Sequence, residues 1–193
     1  MISVFAAGSR KLARLNDQVR DRLENIIAGS YRVLVGDANG ADKAIQSYLF
    51  ERNYKNVVVF CSGTKCRNNL GAWPTHNVNV PSWITGREFY TRKDIEMAEN
   101  ANYGLMLWDG KSVGTINNVF ELLKRNKKTL VYLSTKKVFF SVLVVNDLEA
   151  LLQNCCSDDI TEIRKKIGHS TIERSYELGP DTKCDSSLRP LVG

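Results

Sequence analysis

Apolar and polar positions follow two periods along the chain, and the changes of period mark its elements. Short apolar runs of strand length recur at Ile2 to Ala7, Arg32 to Gly36, Val57 to Cys61, Tyr103 to Trp108 and Thr129 to Leu133. Between them lie stretches with helical spacing. Leu12 to Ala28 places Leu12, Leu15, Val19, Leu23, Ile26 and Ile27 near one face, with Gly29 to end the helix. Ala41 to Asn53 groups Ala44, Ile45, Tyr48 and Leu49. Tyr90 to Asn100 reads as a helix with Thr91 and Asp94 in capping-box-like spacing, and Thr115 to Lys124 as another. Lys137 to Val145 predicts one more strand, and Asp147 to Asn154 a short helix.

Residues 62 to 88 show neither period. They hold Gly63, Gly71, Pro74, Pro81 and Gly86 with two tryptophans, and read as a long irregular connection, a kind often tied to function. The strand–helix alternation predicts an α/β fold: a Rossmann-like three-layer sandwich with a mostly parallel sheet and helices on both faces. Ligands of such sheets bind at the carboxyl ends of the strands, near a switch point. The chain of 193 residues suits one domain, drawn at residues 1–154, followed by a C-terminal segment at 155–193. In that segment Asp158 to Ile167 reads as a helix and the stretch after Tyr176 as a polar tail.

Composition narrows this picture slightly. The net charge of +6 favours anionic partners without choosing among them, and its short runs, such as Lys127-Lys128 and Arg164-Lys165-Lys166, read as solvated faces. Five cysteines (Cys61, Cys66, Cys155, Cys156 and Cys184), no C-x-x-C pair and two histidines argue against a disulfide framework or a metal site. Reduced thiols in a cytoplasmic protein are expected. No stretch has the length of a membrane span, and no cofactor is implied.

Candidate chemistry lies in the loops after three strands. Gly8-Ser9-Arg10 joins a glycine that admits close approach, a hydroxyl and a guanidinium suited to phosphate. Gly36-Asp37-Ala38-Asn39-Gly40-Ala41-Asp42 leads into a helix whose N-terminus is an anion site; Asp42 complements the helix dipole or accepts from ribose hydroxyls. Neither loop is a G-x-G-x-x-G fingerprint. The third loop, Asp109-Gly110-Lys111-Ser112-Val113-Gly114-Thr115, ends like a P-loop. The earlier glycine of that motif would fall at Leu105, inside a strand, so the P-loop reading fails on spacing and context. Gly114-Thr115 at a helix start remains as an anion site with a hydroxyl added.

Taken together, "AAGSR", "VGDANGADKAI" and "LWDGKSVGT", supported by "TRKDIEMAENANYGLMLW", resemble the SLOG superfamily, the Rossmann-like group that includes LOG-type nucleotide phosphoribohydrolases and DprA. The nearest likeness is to its YspA/YpsA-like branch. The resemblance implies a nucleotide-like ligand, a nucleoside phosphate or an ADP-ribose-like molecule. Its phosphate would lie near Gly8, Ser9 and Arg10 and near Gly110, Ser112, Gly114 and Thr115, with Gly36, Asp37, Ala38, Gly40, Ala41 and Asp42 completing the site. Family hydrolases carry a catalytic Glu three residues after the Gly-Thr threonine; here that residue is Asn118. Asn is no carboxylate nucleophile. A binding or sensor module is the leading expectation. An N-glycosidic hydrolase or transferase using another carboxylate is the alternative, with Asp109 and Asn118 as candidate catalytic positions and Asp42 and Asp94 as further carboxylates. Nucleic-acid binding of the DprA kind ranks third, because no compact basic–aromatic cluster points to it. Relatives often form dimers, so a homo-oligomer is one expected state.

Side chains with bland alternatives complete the reading. Trp73, Trp83 and Tyr90 offer a base a stacking surface but read first as aromatics packing the long connection. Arg67, Arg87 and Arg92 lie nearby, His76 shows no partner, His169 reads as a surface residue, and Glu121 is expected to point away from the loops.

Overall fold

The computed structural model describes residues 1–167. Seven strands form one sheet in the order β4-β3-β2-β1-β5-β6-β7. They are β1 (Ser3–Gly8), β2 (Arg32–Gly36), β3 (Val57–Ser62), β4 (Thr75–Val78), β5 (Tyr103–Trp108), β6 (Thr129–Leu133) and β7 (Val138–Val142). All neighbours pair parallel except β6 and β7, which pair antiparallel. The helices are α1 (Asp17–Ala28), α2 (Ala41–Glu51), α3 (Gly86–Asn100), α4 (Val113–Leu123), α5 (Val145–Leu152) and α6 (Ser157–Ile167).

The period of two in the strands sorts their side chains onto two faces. Val4 and Ala6 of β1 join Leu23 of α1 and Ile45 and Leu49 of α2 in one core. Phe5 and Ala7 join Met97 of α3, Ile116 and Leu122 of α4, and Leu151 of α5 in the other. The sheet is therefore the middle of three layers. Leu23, Ile45 and Leu49 are fully buried, each contributing about 1.5–3 kcal/mol over an exposed position. Ile163 of α6 is buried in the second core, so that core extends past residue 154. His169 and the tail after Tyr176 lie outside the described residues.

Several boundaries differ from the sequence pattern for local reasons. Helix α1 begins at Asp17 rather than near Leu12, because the Asn16 side chain caps it by accepting from the Val19 N–H at 3.1 Å. Helix α3 begins at Gly86, four residues early, and Thr91 donates to the Arg87 carbonyl inside the helix instead of capping. Helix α4 begins at Val113, so Gly114 and Thr115 sit within its first turn. The supposedly irregular 62–88 region contains β4. Its Thr75-His76-Asn77 are exposed and polar because β4 is an edge strand, so alternation there is invisible. The same region holds a disulfide between Cys61 and Cys66, with Cα atoms 5.1 Å apart. The expectation of free thiols thus fails at this pair: the chain reverses at Gly63 after β3 and brings the two residues together.

Candidate functional site

Strand order places the reversal of chain direction between β1 and β5. From β1 the chain winds outward through β2, β3 and β4; from β5 it winds the other way. The loops leaving β1 and β5 therefore part over a crevice at their carboxyl ends, the place where open α/β sheets bind ligands. A cleft of about 640 Å³ opens there.

Of the fifteen residues assigned ligand-binding or catalytic positions from sequence, ten line this cleft: Gly8, Ser9, Arg10, Ala38, Asp42, Asp109, Ser112, Gly114, Thr115 and Asn118. The other five, Gly36, Asp37, Gly40, Ala41 and Gly110, lie behind that lining and support it. Gly8 lies so close to the Leu107 carbonyl that a Cβ would collide with it, and that Cβ would come within 2.9 Å of Ala41. Gly40 has φ +83° and its Cβ would strike the backbone of Arg10. The Ala41 N–H donates to the Ser9 carbonyl at 3.1 Å, and the Ser9 N–H to the Leu107 carbonyl at 2.8 Å. The loops after β1 and β2 and the end of β5 are thus locked together through backbone.

The Asp109 carboxylate organises the β5 loop. Its Oδ1 accepts from the N–H groups of Ser112 at 2.8 Å and Lys111 at 3.2 Å, an Asx turn made feasible by Gly110 at φ +79°. Its Oδ2 accepts from Ser9 Oγ at 2.8 Å. Burial pushes the carboxyl pKa upward, but the Ser112 N–H, Ser9 hydroxyl and Lys111 N–H outweigh it and hold Asp109 below the ordinary carboxylate range. Beyond this turn no side chain caps α4. The N–H groups of Val113, Gly114 and Thr115 have no intrahelical partner by helix geometry. Space at Gly114 is open, since a Cβ there would meet nothing within 4 Å. Asn118, one turn further, is 7% exposed and lines the cleft, and its side-chain amide makes no hydrogen bond among the described residues. Glu121 points away, paired with Lys124 and Arg125.

The opposite wall is charged and buried. Asp42 and Lys93 are each 4% exposed. Lys93 Nζ donates to Asp94 Oδ1 at 2.7 Å, and the Ala38 N–H donates to Asp42 Oδ2 at 3.2 Å. Burial pushes Asp42 up to about 6 despite the pull of Lys93, with Asp94 adding to the rise. Burial alone would lower Lys93; the carboxylates of Asp94 and Asp42 reverse that and hold the ammonium charged. Gly36 lies under both, and its Cβ would collide with Asp42 and approach Lys93 Nζ to 2.6 Å.

At the rim, Arg67 grips Asp37 with two guanidinium bonds at 3.0 and 2.6 Å and its own N–H at 3.0 Å. Burial opposes ionisation of Asp37, but these bonds from Arg67 keep its pKa lowered. The Arg67 guanidinium lies 4.3 Å from the Tyr90 ring centroid, and that of Arg10 5.8 Å. Of the three aromatics considered, Tyr90 alone lines the cleft. Trp73 is buried and donates to the Tyr54 carbonyl at 2.9 Å, while Trp83 is 82% exposed. His76 lies outside the cleft, bonded to Glu96 at 2.6 Å and stacked on Phe60.

Lys93 was not a sequence candidate. Its signal was an ion one helical turn before the buried Met97, on the apolar face of α3. Among the described residues no group of three or more His, Cys, Asp or Glu side chains could hold a metal ion, and no helix is long and apolar enough to cross a membrane.

No protein-family model matches this chain, and no curated protein matches it in sequence. Among solved structures it is similar to DNA processing protein A (DprA) from Helicobacter pylori, described for its unique single-stranded DNA binding mode, with a TM-score of 0.52 and 11% identity. The match covers 67% of this chain and 64% of that one, so the chain spans just under two thirds of that protein's length. At this identity the likeness concerns the fold alone: the chain is a Rossmann-like α/β domain.

Proposed function

We propose that the cleft binds a nucleotide or nucleotide-derived ligand, a nucleoside phosphate or an ADP-ribose-like molecule, and holds it without cleaving it. The observation that carries this reading is the convergence of the uncapped first turn of α4, with open space at Gly114, and the exposed Arg10 on one cleft at the switch point. Backbone N–H groups at a helix start and a guanidinium are a site for a phosphate. Tyr90 offers a face for a base. Asn118 supports binding over cleavage, because an amide supplies neither a nucleophile nor a negative charge for an oxocarbenium ion. Within the superfamily, the three loop motifs fit the YspA/YpsA-like branch best.

A second reading is N-glycosidic cleavage or transfer. It is favoured by Asp42, a buried carboxyl on the cleft wall with a pKa near 6, a range suited to proton transfer. Asp109 is less suited: its oxygens already accept three hydrogen bonds.

Calorimetric titration with nucleoside monophosphates, NAD and ADP-ribose, each followed by chromatography, separates these readings. Binding without release of base or sugar, weakened by Arg10→Ala, is the expected result. Turnover abolished by Asp42→Asn or Asp109→Asn would replace the first reading by the second. Binding of oligodeoxythymidine alone, with no mononucleotide bound, would shift the partner to single-stranded nucleic acid.

A further inference from the structure

The buried wall of the cleft has hydrogen-bonding capacity that the described protein does not use. The Lys93 ammonium carries three donors, and among the described residues its hydrogen bond is to Asp94 alone. The Asp42 carboxylate has about four acceptor positions and takes one bond, from the Ala38 N–H. Among the described residues no ion pair within 4.0 Å joins Asp42 to Lys93, although both flank Gly36. Both groups face the open cleft, where a polar ligand can take up that capacity. Asn118, a residue more than nine-tenths buried whose side-chain amide faces the cleft and makes no hydrogen bond among the described residues, independently marks the cleft as suited to a polar ligand.

The chemistry of the two ions selects what completes them. A phosphate offers acceptors to Lys93 but meets the negative charges of Asp42 and Asp94. An ammonium ligand satisfies the carboxylates but is repelled by Lys93. A hydroxyl does both, donating its proton to a carboxylate and accepting from the ammonium through its lone pairs. Two adjacent hydroxyls match the two carboxylates that flank Lys93. We infer that Asp42 and Lys93, with Asp94, form a subsite for the cis-diol of a ribose, so that the cleft selects ribonucleotides over 2′-deoxyribonucleotides. This inference rests on the nucleotide reading above and names its sugar.

The experiment is a calorimetric titration of the full chain with the four ribonucleoside 5′-monophosphates and their 2′-deoxy counterparts. The deoxy forms are expected to bind about tenfold or more weakly, the value of one hydrogen bond to a charged group. Asp42→Asn, which keeps an acceptor for Ala38, should remove most of that preference by weakening the ribo forms. Equal affinity of ribo and deoxy forms, with both weakened by Arg10→Ala, overturns the diol subsite and leaves the nucleotide reading standing. Absence of binding by every nucleotide overturns both. Should Asp42→Asn fail to fold, wild-type protein alone decides the matter, through competition by ribose 5-phosphate against 2-deoxyribose 5-phosphate. Preference for the former supports the subsite, and parity overturns it.

Discussion

Ser9 Oγ donates a 2.8 Å hydrogen bond to Asp109 Oδ2 across the switch point, tying the loop after β1 to the loop after β5. One residue therefore sets both the Asx turn that presents α4 and the placement of the Gly8-Ser9-Arg10 loop. Asp109→Ala should cost about 2–3 kcal/mol, since it strips an acceptor from three donors, whereas Ser9→Ala should cost about 1 kcal/mol. Urea unfolding measures both. The lowered pKa gives the sign with pH: stability from Asp109 is present above pH 3.8 and is lost as pH falls through its folded value. The difference between wild type and Asp109→Ala should then be flat from pH 6 to 8 and shrink only in acid. A difference that changes near neutrality would contradict the arrangement.

Asp42 should behave in the opposite sense. Its pKa rises on folding from 3.8 to about 6, so the folded state binds the proton more tightly. The stabilisation is complete below pH 3.8 and disappears as pH climbs through about 6, a swing of about 3 kcal/mol. Asp42→Asn lacks the titrating group. The stability of the variant relative to wild type should therefore increase between pH 4 and 7, and a constant difference would show that the carboxyl is not held as buried as described.

Two glycines at the starts of α4 and α2 should respond differently to alanine. At Gly114 a methyl meets nothing within 4 Å and φ is ordinary, so Gly114→Ala should leave stability unchanged or raise it by about 0.5–1 kcal/mol within the helix. The methyl would crowd the uncapped N–H groups, and nucleotide affinity should fall. At Gly40 the same change meets both a φ of +83° and the Arg10 backbone, and should lower stability by more than about 1–2 kcal/mol. Thermal melts with calorimetry on both variants check the pair; matching melts would refute the contrast.

The layers of the fold were legible because core contacts write themselves into periodicity. Val4 and Ala6 against Phe5 and Ala7 announce a strand buried on both faces, and such strands joined by helices leave little choice of architecture. Strand β4 was not legible, because an edge strand with exposed Thr75, His76 and Asn77 lacks that signature. At the cleft, the glycine loops were readable from backbone demands at Gly8 and Gly40. The Cys61–Cys66 bond, the grip of Arg67 on Asp37 and the burial of Lys93 were not. The first two join residues through the third dimension, and a five-residue cysteine spacing carries no local mark of it; the one mark of Lys93 is its place a turn before Met97 on the apolar face of α3.

The contact of Gly40 with the Arg10 backbone bears on how recognition in this cleft can change. Its main chain at the loops after β1 and β2 is interlocked in the folded protein without a ligand. A ligand therefore has only side chains to order, about 0.5–1.5 kcal/mol for each long one. Arg10, Arg87 and Lys111 stand exposed around the opening, and none contributes a side-chain bond to the interlocked backbone. Exchanging them alters what is recognised without disturbing how the loops are held, so the ligand can diverge while the frame stays the same.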